Sequence, residues 1–334
     1  MEFTSQYSYI KDKHLNIIGV AVNEGQDLGG TELGPKALRD AGLIPVAHAL
    51  GWSVRDLGDI TNSKIEHDNV DPTKYKYSDV KNALTLGGMC KKLRDMCKAS
   101  AEAGGFTLIL GGDHGLATGS IAGMKAAYPD LKVLWIDAHA DCNIPEGSPS
   151  GNYHGMPVAH LLGWMGEGTV PGFDWLKPCL KSEDIVYIGL RDIDEFERKM
   201  LKKHNIKIFD MDDVTELGIG GVMKEVISYF NSDGKDHPIH VSFDIDAVDP
   251  AYAPQTGTKA RGGLTDREAH FILRKLVKTG NVVSIDLGEV NPELESLQPN
   301  REKFHGDNKL IDGTETVCFG VELIQSILGY RLCL

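Results

Sequence analysis

The stretch LKVLWIDAHAD, residues 131–141, decides what kind of fold this chain can form. Apart from Lys132, its first half is an apolar run, which is typical of a strand buried on both faces of a parallel sheet. Its second half places Asp137, His139 and Asp141 two positions apart. Alternate residues of a strand share one face, so we predict that these three side chains point together at the carboxyl end of the strand.

Seven apolar runs, this one included, predict buried strands with helical patterns between them. The strands are predicted at 15–22, 107–112, 132–139, 184–190, 206–211, 238–246 and 282–290, and the helices at 80–104, 116–128, 194–205, 220–233, 266–281 and 316–330, with a surface loop at 60–79. Strand–helix alternation predicts an α/β fold in which helices cover both faces of a parallel sheet. An eight-stranded (β/α) barrel is the alternative. Because no linker divides the chain, we predict one domain, 1–334.

Composition narrows the classes of partner. The chain has 334 residues, 41% of them hydrophobic, and a formal net charge of −13. That charge disfavours nucleic acid, which needs clustered Lys and Arg, and mildly favours a cationic small molecule. No apolar stretch approaches the roughly 18 residues of a membrane span, so no membrane association is expected. The start lacks a leader pattern and the six cysteines lack regular spacing, which together predict a cytoplasmic protein.

Two more predicted strands also have acidic or histidine residues at their carboxyl ends. GGDHG places Asp113 and His114 directly after the run at 108–110, and SFDID places Asp244 and Asp246 at i and i+2. Asp113 could instead be a helix N-cap and His114 a core histidine. Carboxylates gathered at a buried edge repel one another unless they are protonated or neutralised by a cation.

These strand ends supply one candidate metal centre. Its predicted ligands are His114, Asp137, His139, Asp141, Asp244 and Asp246. Four carboxylates and two imidazoles without cysteine suit two divalent ions, with manganese ahead of zinc. Two ions about 3.5–4 Å apart activate water for hydrolysis. The residues alone therefore predict a metal-assisted hydrolase of open reaction class. A phosphoesterase is one alternative, disfavoured by the acidic chain and the lack of an Arg cluster near the site.

Five segments resemble the signatures of the ureohydrolase family, in that family's order. They are GGDHGLATGSIAG, WIDAHADCN, SGNYHGMP, SFDIDAVDPAYAPQTGT and DLGEVNP, and the resemblance extends from about residue 15 to 330. It implies a three-layer α-β-α sandwich with a mainly parallel eight-stranded sheet and two Mn²⁺ ions per subunit. It also implies that a metal-bridging hydroxide attacks the guanidinium carbon of the substrate and releases urea.

The same resemblance implies roles for individual residues. The six ligands above would hold the metals, with Asp141 also counted as catalytic, His154 as a proton shuttle and Glu289 as the partner of the guanidinium group. The α-carboxylate of an amino-acid substrate would be held by Asn143, Ser148, Ser150 and Asn152. Its α-amino group would be received by Asp194, with Asp192 and Glu197 nearby, and Thr258 would line the pocket.

The loop DCNIPEGSPSGNYHG favours the arginase branch of the family. That branch converts L-arginine and water to L-ornithine and urea, a reaction of arginine metabolism and the urea cycle, and the resemblance implies a homotrimer. An agmatinase or another guanidino-substrate hydrolase is the alternative, as is a catalytically silent member. One departure is Gly115, where the family usually has Ser; we predict that it weakens one hydrogen bond near His114.

Overall fold

The computed structural model describes residues 7–62, 70–296 and 311–330, and within them eight parallel strands form one sheet. The strands are β1 (His14–Ala21), β2 (Ser53–Thr61), β3 (Phe106–Leu110), β4 (Lys132–Ile136), β5 (Ile185–Ile188), β6 (Lys207–Phe209), β7 (Ile239–Asp244) and β8 (Val282–Gly288). Their order across the sheet is β2-β1-β3-β8-β7-β4-β5-β6. The sheet is open, with β2 and β6 at its edges, so the prediction of a parallel sheet is confirmed and the barrel alternative is wrong.

Helices cover both faces of this sheet. They are α1 (Gly34–Asp40), α2 (Leu43–Ala49), α3 (Ala83–Glu102), α4 (Ala117–Ala127), α5 (Pro157–Leu161), α6 (Glu195–Lys203), α7 (Met211–Phe230), α8 (Asp266–Val277) and α9 (Glu315–Ile327). Side chains of α1, α2 and α7–α9 form one apolar core, whereas those of α3–α6 form a second. Strand β1 contributes Leu15 and Ile17 to the first core and Ile18 and Val20 to the second. The three-layer prediction is therefore confirmed. No helix in the described ranges has the length and apolarity needed to cross a bilayer.

Edge strand β2 was missed because its sequence, SVRDLGDIT, has no apolar run. Only Ile60 is fully buried in it, since an edge strand exposes much of its surface to solvent. The strand also overlaps the start of the loop predicted at 60–79. Residues 63–69 of that loop, and 297–310 later in the chain, lie outside the described residues.

Helix α7 begins well before the start predicted at residue 220. Asp210 caps its first turn through a reciprocal capping box with Asp213, and Gly218 interrupts the helix with a φ of 65°. That break disturbs the apolar periodicity on which the prediction depended, so only the second half of the helix was recognised.

A buried histidine on α5 makes stability sensitive to acid. Burial lowers the pKa of His160 to about 4, and its Nδ1 lies 2.7 Å from the Tyr153 hydroxyl. Its ordinary pKa is 6.5, so between pH 6.5 and 4 the unfolded chain binds the extra proton and the free energy of unfolding falls as pH falls. The full difference is worth about 3 kcal/mol.

We expect the variant His160→Gln to lose less stability than the wild type between pH 6.5 and 4. Thermal unfolding of both proteins across this range measures the difference. Equal slopes for the two proteins would show that His160 does not remain neutral in the fold.

Candidate active site

The candidate site lies where the four central strands end. Strands β3, β8, β7 and β4 are neighbours in the sheet, and all are parallel. His114 follows β3, Glu289 follows β8, Asp244 ends β7, and Asp137 follows β4. Because parallel strands end at one edge, residues that are far apart in sequence meet there, as is usual for ligand sites in open α/β sheets.

The side chains converge through the loops and not through strand alternation. Strand β4 ends at Ile136, before Asp137, and Asp141 has a left-handed φ of 47°. Asp246 lies on a short 3-10 turn, Ile245–Ala247, after β7. The prediction of a shared strand face was therefore wrong in its geometry. The chain turns off the sheet as soon as polar residues begin, and the turns bring the same side chains together.

One group of side chains surrounds the His114 imidazole. Its Nδ1 lies 3.1 Å from Asp137 Oδ2, 3.2 Å from Asp141 Oδ2 and 3.3 Å from Asp244 Oδ2. His114, Asp137 and Asp244 offer ligand atoms within 4.8 Å of one another, which is close enough to hold one metal ion.

A second group surrounds His139 and shares Asp137 with the first. His139 Nδ1 lies 3.0 Å from Asp246 Oδ2 and 3.4 Å from Asp137 Oδ1. These three residues also offer ligand atoms within 4.8 Å of one another. Asp137 thus turns Oδ2 toward one histidine and Oδ1 toward the other, which is the arrangement expected of a carboxylate that bridges two cations.

The electrostatics of this cluster call for added positive charge. Burial and repulsion from Asp137 raise the pKa of Asp141 to about 6. Burial, with repulsion from Asp246 and Asp137, also raises the pKa of Asp244. Although burial opposes it, contact with Asp137, Asp141 and Asp244 raises the pKa of His114 well above its ordinary value. In the absence of any other cation, protons on the histidines compensate the carboxylates.

The donor set fits divalent metal ions. Among the described residues, the ion-pair partners of the four clustered aspartates are histidines alone. Four buried or nearly buried carboxylates without a Lys or Arg partner are costly, and hard or borderline divalent ions remove that cost. The cluster therefore has the composition of a metal site with mixed oxygen and nitrogen ligands.

A buried hydrogen-bond network orients the His114 imidazole through Nε2, the nitrogen that faces away from the carboxylate cluster. Ser242 donates its hydroxyl to Asp286 Oδ1 at 2.7 Å, because a carboxylate can only accept. The same Ser242 oxygen lies 2.9 Å from His114 Nε2 and accepts its proton. His240 Nε2 holds the other Asp286 oxygen at 2.9 Å. In a neutral His114, Nδ1 therefore keeps its lone pair facing the carboxylate cluster.

Glu289 and His154 lie beside the cluster. Glu289 is fully buried, has a left-handed φ of 63°, and accepts the His114 backbone N–H at 2.8 Å. His154 Nδ1 lies 3.5 Å from Glu289 Oε1. Burial opposes protonation of His154, but Glu289, Asp141 and Asp113 raise its pKa to about 9. A protonated histidine and an ionised carboxylate are thus available next to the candidate metal ligands.

A separate polar cluster lies at the N-terminus of α6. Asp194 caps this helix by accepting the Glu197 N–H at 2.9 Å, and its second oxygen accepts Asn143 Nδ2 at 2.7 Å. Glu197 accepts the Cys142 N–H at 3.1 Å, and burial with repulsion from Asp141 raises its pKa to about 8. The structure thus brings together Asn143, Asp194 and Glu197, which sequence reasoning had taken from distant segments.

Other predicted contact residues lie at different places around the site. Ser148 and Ser150 form turns in an exposed loop, where they accept the N–H groups of Gly151 and Asn152. Asn152 donates to Asp27 at 3.2 Å. Asp192 lies 3.7 Å from His139 Nε2, on the side away from the cluster. Thr258 donates to Asp246 Oδ2 at 2.8 Å, so it contacts a candidate ligand directly.

Several residues around the site carried no signal in the sequence. Trp135 donates to Asp137 Oδ2 at 2.9 Å but looked like one more apolar residue of the strand. Gln26 donates to Glu289 Oε2 at 2.7 Å from an N-terminal loop in which the sequence indicated no functional residue. Asp113 acts as the N-cap considered above. A Cβ added at Gly115 would lie 2.8 Å from Asp113 Oδ1, so the capping contact occupies the space that a serine would need.

Comparison with known proteins agrees with this fold. A sequence model of the Arginase family matches residues 13–328. The chain is 44% identical to arginase-1 of Bos taurus, over 93% of this chain and 94% of that protein. It is also 44% identical to the arginase of Glaciozyma antarctica (strain PI12), over 95% and 88% of the two chains. The solved structure of arginase from Bacillus caldovelox aligns with a TM-score of 0.82 at 36% identity, covering 96% of this chain and 100% of that one.

The open parallel α/β sheet, the similarity to arginases and the histidine–carboxylate cluster at the carboxyl edge define the protein as a hydrolase of a metal-dependent class. The chain belongs to the Arginase family.

Proposed function

We propose that this protein hydrolyses L-arginine to L-ornithine and urea with two Mn²⁺ ions per subunit. The observation that carries the proposal is the pair of overlapping ligand groups joined by Asp137. Family membership and the similarity to arginases support the substrate. When bound, such ions lower the pKa of water enough to supply hydroxide near neutral pH. In this proposal His114, Asp137, His139, Asp141, Asp244 and Asp246 hold them.

Glu289 would bind and orient the guanidinium group. Its carboxylate is buried, and contact with His154, the His114 N–H and Gln26 lowers its pKa despite the burial, so it stays ionised. An ionised carboxylate forms strong, directional hydrogen bonds to a guanidinium group. Such a pair would hold the guanidinium carbon beside the ligand cluster, since Glu289 accepts the backbone N–H of ligand His114.

His154 would supply the proton that the leaving amine requires. With a pKa of about 9 its imidazole is protonated at neutral pH, and the ion pair with Glu289 keeps it beside the guanidinium position. A histidine that is protonated at the working pH and held beside the leaving group can act as a general acid. Cleavage of the carbon–nitrogen bond would then leave urea and the terminal amine of ornithine.

The polar cluster at α6 would bind the amino-acid end. Asp194 carries a negative charge beside Asn143 Nδ2 and suits an α-ammonium group. Ser148, Ser150, Asn143 and Asn152 are neutral and suit the α-carboxylate, while Asp192, Glu197 and Thr258 would support the ligands and the loop around them.

Urea release from the manganese-loaded protein tests the proposed function. We expect equal amounts of urea and ornithine from L-arginine and little urea from agmatine. Urea from agmatine alone would keep the metal chemistry and overturn the substrate. No urea from either, with two manganese ions bound per chain, would identify a catalytically silent member.

One observation favours agmatine as a second candidate substrate. The amide nitrogens of Asn143 and Asn152 already donate to Asp194 and Asp27, and their buried Oδ1 atoms have no hydrogen-bond partner among the described residues. A free Oδ1 accepts hydrogen bonds and cannot pair with a carboxylate. One N–H of each amide is left for the arginine carboxylate, whereas agmatine, which lacks the carboxylate, needs neither.

Asp194→Asn should raise KM for L-arginine about 10-fold or more with a smaller change in kcat. The substitution removes the charge that would pair with the α-ammonium, and a hydrogen bond to a charged group is worth about 1.5–3 kcal/mol. Asparagine still caps a helix, so α6 should remain folded. Steady-state urea release over a range of arginine concentrations measures both constants.

Asp210→Asn is the matched control. Asp210 caps α7 with the same reciprocal geometry, and in this protein the kinetic constants should stay at wild-type values. An unchanged KM in Asp194→Asn would remove Asp194 from the substrate site.

Three further predictions from the sequence remain proposals. They are a homotrimer, a cytoplasmic location and one catalytic domain across residues 1–334. Sedimentation of the purified protein tests the first of them.

A further inference from the structure

The side chain of Gln26 contacts the carboxylate assigned above to the guanidinium group. Its Nε2 donates to Glu289 Oε2 at 2.7 Å, and only 9% of Gln26 is exposed. On the other side, Glu289 Oε1 accepts the backbone N–H of His114 at 2.8 Å. Each carboxylate oxygen is therefore held by a different donor, and two such bonds fix both the position and the plane of the group.

The loop that carries Gln26 is anchored to the same residues as the rest of the site. Asp113 Oδ2 accepts the Gly25 N–H at 2.9 Å, and the His154 N–H donates to Gly25 O at 3.0 Å. A Cβ at Gly25 would lie 2.4 Å from Asp113 Oδ1, so only glycine permits this close approach. These contacts fix the position of Gln26 relative to His154 and to His114, which follows Asp113.

The far end of the Gln26 amide reaches another loop of the site. A Cβ added at Gly257 would lie 3.3 Å from Gln26 Oε1. Gly257 precedes Thr258, which donates to Asp246. The amide therefore spans the gap between Glu289 and the loop that supports the second ligand group.

Glu289 also has an unusual backbone conformation. It has a φ of 63°, a conformation that residues with a side chain adopt at a cost and that persists where the surroundings enforce it. Among the described residues, Gln26 provides the one neutral side-chain donor to this carboxylate. A neutral donor orients Glu289 without cancelling the charge that a cation needs.

We propose that Gln26 is a positioning and specificity residue for the guanidinium end of the substrate. It holds Glu289 so that the remaining lone pairs face the guanidinium group, and it does so without touching the amino-acid end. This inference rests on the proposed function only in requiring a guanidino substrate, and it applies equally to arginine and agmatine.

Two variants test the proposal in the manganese-loaded protein. Gln26→Met keeps the length of the side chain but removes the donor, and Gln26→Glu places a second carboxylate against Glu289. We expect KM for the guanidino substrate to rise about 10-fold in Gln26→Met, and more in Gln26→Glu, because a hydrogen bond to an ionised group is lost or replaced by repulsion. The dissociation constant of the product amine, measured by calorimetry, should change by less than about twofold because the amine has no guanidinium group.

The comparison of substrate with product separates positioning from general damage. Gln325→Met, on α9 and away from the site, is the matched control and should leave both constants unchanged. If Gln26→Met raised the KM for the substrate and the dissociation constant of the product by the same factor, Gln26 would have only a structural role. An unchanged KM would equally overturn the proposal.

The test of Gln26 can also be made if the protein does not hydrolyse L-arginine. If the wild type uses agmatine, the same comparison is made with putrescine in place of ornithine. If it uses neither substrate, calorimetry with guanidinium chloride and ammonium chloride replaces the kinetics. The proposal then requires that Gln26→Met weaken guanidinium binding alone, and equal binding of guanidinium by variant and wild type would contradict it.

Discussion

Replacing Asp137 by alanine is expected to lower kcat for urea release at least about 1000-fold and to abolish binding of both metal ions. Asp137 faces His114 with one oxygen and His139 with the other, so its loss opens both ligand groups at once. Loss of a single preorganised electrostatic group already costs enzymes about 100- to 1000-fold. Metal analysis of dialysed protein and steady-state kinetics measure the two effects.

Two further variants show whether the loss of both ions is specific to Asp137. Asp246→Ala removes a residue of the second group only, so it should retain about one ion held by His114, Asp137 and Asp244. Asp130→Ala, at an exposed turn before β4, should retain both ions and full activity. If Asp137→Ala kept two ions per chain, the bridging role would be wrong.

Replacing Glu289 by glutamine should lower kcat/KM about 100-fold or more. Removing one partner of a buried charge pair costs about 2–5 kcal/mol, and each 1.4 kcal/mol is a factor of ten. Glutamine has nearly the same shape and keeps an acceptor for the His114 N–H, so metal binding should persist. Kinetics and metal content of the same preparation show whether the loss lies in substrate binding.

Glu293→Gln is the control for Glu289→Gln. Glu293 lies four residues further along the same segment but is exposed, so its variant should match the wild type. Wild-type kcat/KM in Glu289→Gln would mean that another group pairs with the guanidinium.

The sequence by itself determined the layered α/β fold and indicated several of the residues that meet at the candidate site. Buried parallel strands must be apolar on both faces, so seven of them are visible as apolar runs. Charged residues directly after such runs conflict with burial unless they serve a site, which is why Asp137, His114 and Asp244 could be selected without coordinates. Edge strand β2 lacked that signal because solvent covers much of it.

Only the tertiary structure decided how those residues meet. The order β3-β8-β7-β4 places four strand ends side by side, although the strands are far apart in sequence, and local patterning does not encode the order of strands in a sheet. The loops after the strands, with left-handed turns at Asp141 and Glu289, then set the direction of each side chain. Gln26 entered the site for the same reason: its contact with Glu289 spans 263 positions in sequence, and a contact of that range depends on the packed fold and not on any local pattern.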